Sequence, residues 1–410
     1  MRGYGAPQVH YALECHVDNI ARKLNFDPIE FRRLNFAGTG YQDPLTKVKI
    51  YTNGLAECVA KGKELIGWTA KKELYKKQIG DKRRGLGMAC FAYSSGTHPV
   101  SIEIAGARIV VNQDGSVQLQ VGATEIGQGS DTVFAQMVAE TLGIRYEMVH
   151  VVSTQDTDIS PFDTGAYASR QTYITGMAVK KAADEVKRKI LDFAWGMTDI
   201  PAQALDIKDA NIVYKHSGEV VMPLEEVTMR TYYDTVHAKP ITSDTSNNAR
   251  VNAYSFGTTF AEVEVDIKTG KIEVLEIYNV HDAGKIINPQ LAAGQVHGGV
   301  SMGIGYALSE QLQFNEKTGK PLNNNLLDYK LPTIMDTPEI GVEFVETYEP
   351  TSAYGVKSLG EPPTITPAPA IRNAVLDATG VAFSRLPMNP QRVFEKFKEV
   401  GLLERREANV

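Results

Sequence analysis

The run Tyr354-Gly355-Val356-Lys357-Ser358-Leu359-Gly360-Glu361-Pro362-Pro363 sets one carboxylate between a glycine and two prolines. Glycine lets another group approach the backbone, and proline fixes φ and removes a backbone donor, so Glu361 is held by a stiff turn. The apolar stretch from Ile365 to Val375 follows with few charges and predicts a buried helix starting close to the carboxylate. A glutamate so placed is a candidate general base. Desolvation would raise its proton affinity toward the working pH, and the neighbouring helix start would oppose that rise. The alternative is a loop glutamate that caps the next helix.

Other stretches carry donors rather than acids. Gly122-Ala123-Thr124-Glu125-Ile126-Gly127-Gln128-Gly129 joins a predicted strand to a predicted helix over Ser130 to Leu142, an arrangement that presents free backbone N–H groups to an anion. It is neither G-x-G-x-x-G nor a P-loop, and a tight packing turn would look the same. Ala166 to Gln171 opens a long helix ending near Trp195 and forms a second such cradle. Gly294-Gln295-Val296-His297-Gly298-Gly299 reads as the start of a small-residue helix, with Gln295 offering both a donor and an acceptor. His281-Asp282 could orient a catalytic group or be structural. Asp156, Asp158 and Asp163 share a loop, but their spacing fits no EF-hand, so helix capping is the expectation. The turn from Met1 to Gln8, with an arginine and an aromatic, needs neighbours that another chain or a preceding portion would supply.

The elements that must hold these groups are mixed. His10 to Leu24, Pro28 onward and 54–66 read as helices, Val48 to Tyr51 as a strand, and 71–84 as a solvated basic run. Period-two stretches at Gly85 to Tyr93, Ser101 to Ala105, Ala107 to Asn112 and Val117 to Val121 predict strands of one sheet. Further strands are expected at 146–153, 253–266, 272–283 and 340–346, with a hairpin near 213–221. Strand groups alternate with long helices without regular βαβ repetition, so the expected class is α+β with mixed sheets. The chain has 410 residues, 43% hydrophobic and 22% charged, enough for several domains of ordinary globular composition. A net charge of −6 carries no nucleic-acid footprint, and no apolar run approaches the ~18 residues of a membrane span. Cys15, Cys58 and Cys90 form no C-x-x-C pair, so a reducing cytoplasm fits and neither zinc nor iron–sulfur ligation is expected from this chain.

Arg2-Gly-Tyr-Gly-x-Pro-Gln, Gly122-x-Thr-Glu-x-Gly-Gln-Gly, Ala168-Ser-Arg-Gln, His281-Asp-x-Gly-x-x-x-Asn-Pro with Gly294-Gln-Val-x-Gly-Gly, and Gly360-Glu-Pro-Pro follow one another along the chain. In this order they resemble the xanthine dehydrogenase/aldehyde oxidase family of molybdenum hydroxylases, over nearly the whole chain. Cys90 to Tyr93, Ser153 to Asp158 and Asn325 to Lys330 are similar to the molybdenum-binding subunit of bacterial xanthine dehydrogenases.

The resemblance implies a molybdenum–molybdopterin cofactor, in its plain or cytosine dinucleotide form, held by the pterin dithiolene with no protein ligand to the metal. Glu361 would take a proton from a molybdenum-bound hydroxyl, with hydride passing to a sulfido or selenido ligand. Arg2 would pair with a purine carbonyl and stabilise negative charge, Tyr4 would face the substrate ring, and Thr97, His98 and Tyr167 would complete the substrate pocket. Ile126, Gly127 and Gln128 would contact the pterin and metal oxo group, Gln295 would be a further pterin contact and Gly360 would bind the cofactor, while Ala168, Ser169, Arg170 and Gln171 would bind phosphate and pterin edges. Residues 1–54 would complete an upstream molybdenum domain, with molybdopterin-binding subdomains at 55–200 and 201–410. The implied activity is hydroxylation of a purine ring carbon, xanthine or hypoxanthine to urate, with water as oxygen source. The implied partners are the amino-terminal half of the molybdenum subunit and iron–sulfur and FAD subunits. The alternatives are an aldehyde or nicotinate-like N-heterocycle hydroxylase subunit, or an inactive structural half.

Overall fold

The computed structural model describes residues 2–152 and 156–403, so Met1 and the Ser153–Gln155 part of the family-like motif lie outside the described residues. Helix α1 (Ala6–Lys23) takes Pro7 into its first turn, where a missing N–H costs nothing. Its inward acids meet helix α2 (Pro28–Arg33), whose Arg32 Nε lies 2.8 Å from Glu14. Helices α3 (Leu55–Leu65) and α4 (Trp68–Tyr75) follow. The stretch 71–84 is solvated as expected, every residue being exposed or half-buried. It is the end of α4 and the start of strand β1 (Lys82–Ser94), with Lys71 paired to Glu262 and Glu276 and Lys72 to Asp377. Val48 to Tyr51 yields only an isolated bridge, Gln42 to Lys49.

Strands β2 (Ile104–Val111) and β3 (Val117–Val121), helix α5 (Ser130–Leu142) and strand β4 (Val149–Val152) come next, β4 opening with a 3₁₀ turn at Tyr146–Met148. Helix α6 (Gly176–Thr198) leads to the small meander β5 (Leu205–Lys208), β6 (Asn211–Tyr214) and β7 (Val220–Pro223), and then to α7 (Leu224–Tyr233). The chain closes with β8 (Thr242–Asn248), β9 (Tyr254–Asp266), β10 (Ile272–Asp282), α8 (Pro289–Leu308), β11 (Ile340–Phe344), α9 (Pro367–Thr379) and α10 (Pro390–Glu399). The α+β class holds.

The strands expected in one sheet divide between two, ordered β1-β9-β10-β11 and β4-β3-β2-β8. The reason is that β9 takes β1 along its whole length, from Lys82 opposite Asp266 to Ser94 opposite Tyr254, leaving β2 to pair with β3 and β8. Both four-stranded sheets draw strands from either side of residue 200. In the second sheet one face is covered by α5 and by the small-residue stripe Ala178, Val179, Ala182, Ala183 and Val186 of α6.

In the first sheet, successive residues alternate between two cores. Leu86, Met88 and Phe260 face α3 and α4, whereas Ala89, Ala261 and Val263 face α8 and α9. Gly87 lets α9 lie directly on β1: a Cβ there would stand 2.1 Å from the Ala370 carbonyl oxygen and 2.2 Å from the Ala374 nitrogen. Because α9 begins six residues after Glu361, this contact also fixes the height of the Glu361 turn over the sheet. Replacing Gly87 by alanine should lower stability by about 2 kcal/mol or more, since backbone cannot yield as a side chain can. A urea unfolding midpoint equal to that of the parent protein would rule out the contact.

Candidate functional site

A cavity of about 620 Å³ opens between the two sheets' loops. Its wall takes Arg2 and Tyr4 from the amino-terminal turn, Ile126, Gly127 and Gln128 from the loop before α5, and Tyr167, Ser169, Arg170 and Gln171 from the turn before α6. Gln295 of α8, Gly360 and Glu361 close it. Twelve of the fifteen residues singled out in the sequence thus meet at one place, while Ala168, Thr97 and His98 do not line it.

Glu361 is held by three donors. Its Oε2 accepts from the Tyr93 hydroxyl at 2.7 Å and the Ser169 hydroxyl at 3.1 Å, and its Oε1 accepts from the Gly3 N–H at 3.2 Å. The Glu361 N–H donates in turn to Ser169 Oγ at 2.8 Å. Beyond it Pro362 and Pro363 are buried, and Pro363 presses on Gly299 of α8, where a Cβ would be 2.5 Å away. Arg2 binds the turn to α8: Nε donates to the Gly360 carbonyl at 2.5 Å and Nη2 to that of Gln295 at 2.7 Å. Burial lowers the Arg2 pKa to about 10, against the opposing pull of the Glu361 charge. Two arms of the guanidinium are therefore committed to backbone, which leaves its charge, rather than a free two-pronged fork, to act in the cavity.

Several expected roles change. The Arg170 guanidinium is fully buried and turned away from the cavity, donating to Glu103 at 2.6 Å, to Ile104 O at 2.8 Å, to Gly165 O at 3.2 Å and to Asp163. Four of its five N–H groups are thus engaged within the protein, which leaves little of the guanidinium for a phosphate. Thr97 faces the same cluster, its hydroxyl donating to Glu103 at 2.7 Å, the His98 carbonyl accepts from Asn252 at 3.0 Å, and neither residue lines this cavity. The cradle before α5 is already filled. Glu125 accepts from the N–H groups of Gly127 at 2.7 Å, Gly129 at 3.1 Å and Asp131 at 3.1 Å. Burial pushes its carboxyl up, but these bonds together outweigh that and hold it below the usual value. Asp163 serves Arg170 and Thr175 rather than a helix cap, and among the described residues no acidic or His/Cys cluster could hold a metal ion. Gln295 lies in the second turn of α8, whose start is capped by Asn288.

What stays open is the second cradle. Ala168 and Ser169 are both left-handed, with φ of 47° and 50°, and among the described residues their N–H groups meet no protein acceptor. Among the described residues the Gln295 side-chain amide likewise has no hydrogen-bond partner and Lys285 on the wall has no carboxylate within ion-pair reach, while Gly127 leaves open space where a side chain would stand. Gln128 and Gln171 bond to each other at 2.6 Å and to Thr124, stiffening the loop beside this space. Such donors, with a cation and a bare loop, fit an anionic, hydrogen-bonding group of pterin and phosphate kind.

The sequence marked Tyr93 only as part of the Cys90–Tyr93 similarity and gave it no role, and it missed the fully buried pair Lys357–Asp282 at 2.7 Å. Asp282 also accepts from Gly54 N–H at 2.8 Å and Thr347 at 2.6 Å, so it anchors chain rather than a catalytic group. Its neighbour His281 is wholly buried, and burial followed by the Arg2 charge lowers its pKa to about 3. It is a neutral structural imidazole lying 5.2 Å from the Phe91 ring.

Residues 61–338 and 1–36 match two families that share the description molybdopterin cofactor-binding domain. The chain belongs to the xanthine dehydrogenase family of molybdenum hydroxylases. It is 48% identical to the xanthine dehydrogenase molybdenum-binding subunit of Escherichia coli O157:H7 over 98% of this chain and 54% of that protein. It is 30% identical to the nicotine 6-hydroxylase large subunit of Paenarthrobacter nicotinovorans, over 97% and 51%. A solved CO dehydrogenase from Oligotropha carboxidovorans superposes with a TM-score of 0.89 at 25% identity, over 98% of this chain and 52% of that one. The chain spans about half the length of the relatives it matches.

Replacing Arg170 by methionine should cost about 3–5 kcal/mol of stability, because Glu103 and Asp163 are left buried without a counter-charge. Denaturation of the cofactor-free protein checks this. Unaltered stability with lost molybdenum would return the guanidinium to the cofactor.

Proposed function

We propose that this chain forms part of a molybdenum hydroxylase that oxidises a purine ring carbon, xanthine or hypoxanthine to urate, with water as the oxygen source. The observation that carries this reading is Glu361, held by three donors on the wall of a cavity that also presents Arg2, Tyr4 and Gln295. When bound, the molybdenum centre supplies Lewis acidity and accepts two electrons. Glu361 is the base that takes up the proton, a carboxylate already fixed in place before substrate arrives. The Ala168 and Ser169 N–H groups, Lys285 and the Gln295 amide hold the phosphate and pterin, and the Gly127 loop lets the ring system approach the backbone. Tyr4, 88% exposed, offers its ring for stacking on a flat substrate, and the Arg2 charge stabilises negative charge developing on a purine.

The amino-terminal half of a molybdenum subunit and iron–sulfur and FAD subunits complete the enzyme in this reading. The cytoplasm is its proposed setting: the three cysteines are free and buried, and among the described residues no helix is long and apolar enough to cross a membrane. A second reading, hydroxylation of another N-heterocycle, is favoured by the likeness to the nicotine 6-hydroxylase large subunit.

Turnover of xanthine, hypoxanthine, nicotinate and a simple aldehyde by the assembled enzyme with a dye acceptor decides between them. Glu361→Gln should keep its molybdenum and lose at least about a hundredfold in turnover; near-normal turnover removes Glu361 as the base. Arg2→Met should slow purines far more than aldehydes, and an equal loss on both would confine Arg2 to its backbone bonds with Gly360 and Gln295.

A further inference from the structure

The two oxygens of Glu361 are not equivalent. Oε2 takes two hydroxyl donors, Tyr93 at 2.7 Å and Ser169 at 3.1 Å, whereas Oε1 takes one longer backbone N–H, from Gly3 at 3.2 Å. Tyr93 is the penultimate residue of strand β1, and among the described residues its hydroxyl donates to Glu361 alone. We propose that Tyr93 is a positioning residue for the base: by occupying Oε2 it favours the charged carboxylate, fixes its rotation, and leaves Oε1 as the oxygen that takes up the proton. This rests on the reading of Glu361 as the base.

The surroundings leave the task to Tyr93 and Ser169. Arg2 contributes charge, but its Nε and Nη2 bind the Gly360 and Gln295 carbonyls. Helix α8 presents glycines and the Gln295 backbone to the turn. The turn before α6 sends its Arg170 guanidinium to Glu103 and Asp163, and Lys357, on the segment leading to Glu361, is paired with Asp282. Among the described residues, then, the groups that reach the carboxylate itself are two hydroxyls and one amide. A phenol is the stronger hydrogen-bond donor of the two hydroxyls, and here it keeps its proton: burial, and after it the hydrogen bond to Glu361, hold the Tyr93 hydroxyl well above its ordinary value.

Removing a donor from a carboxylate disfavours its charged form and raises its pKa, and a base must be deprotonated to act, so the sign of the effect is fixed. In the assembled molybdenum enzyme, Tyr93→Phe should move the acid limb of kcat/KM up by about one pH unit, with KM at high pH unchanged. The same protein prepared without its cofactor gives a second reading: the carboxyl C=O infrared band that Glu361→Gln abolishes should titrate about one unit higher in Tyr93→Phe. Ser169→Ala leaves the Tyr93 ring in place, removes the longer bond to Oε2, and should move both midpoints in the same direction by less. Midpoints unmoved in both measurements overturn the proposal, even if activity falls, because a ring that only packs would lower the rate without shifting a titration. Full turnover by Glu361→Gln would instead overturn the reading of the base beneath it, whatever the infrared midpoint does.

Discussion

One buried cation fixes the wall of the site that faces Glu361. Arg170 brings a single positive charge to a place where Glu103 and Asp163 bring two negative ones, all three side chains being fully buried. Ion pairs of this kind add little net stability, yet they permit few arrangements, since any partner displaced is left charged and dry. The cluster joins the start of β2 through Ile104, the loop at 163–165, Thr97, and the turn at 168–171. The left-handed pair Ala168–Ser169 is secured further by the Gly96 N–H on the Ala168 carbonyl at 2.9 Å. Ser169 then faces Glu361 with the right spacing for two hydrogen bonds, and a salt cluster lying behind the cavity comes to set the position of a carboxylate at its wall.

The Glu361 turn is pinned independently from the other sheet. Lys357 lies in the same run of chain and is tied through Asp282 to Gly54 and Thr347, while the Ser358 N–H donates to Ser95 and its hydroxyl meets Ser255 at 2.7 Å. Downstream, Pro363 fits against Gly299, and α9 lies on β1 across Gly87. The carboxylate thus sits between two anchored ends, and the site needs no rearrangement of its backbone to present it. Burying a lysine–aspartate pair to hold a turn is costly in solvation, and the four polar contacts made by Asp282 offset that cost.

Much of this was legible in the sequence, and the exceptions share a cause. The Glu361 turn, the helix over Ser130 to Leu142 and the long strands could be read because proline, glycine and period-two patterning act locally. The division into two sheets could not, since strand order depends on which partner lies closest after folding, and β9 lies more than 150 residues from β1. Arg170 was found and misassigned for a related reason. A motif marks a position but not the direction of a side chain, and two acids at 103 and 163 drew the guanidinium inward. Glu125 shows the same limit, for the loop that looked ready for an outside anion carries its own.

The neutral His281 has a consequence for how charge is felt across the cavity. Below Arg2 the chain places an imidazole that stays uncharged, between the rings of Phe91 and Phe344 at 5.2 and 6.4 Å. With its proton affinity held this low, the imidazole does not answer a change of charge near neutral pH by titrating. Coulomb interactions are stronger in such buried surroundings than in water. A charge arriving from the cavity therefore meets Arg2 beside a neutral, buried ring rather than beside a second titrating group.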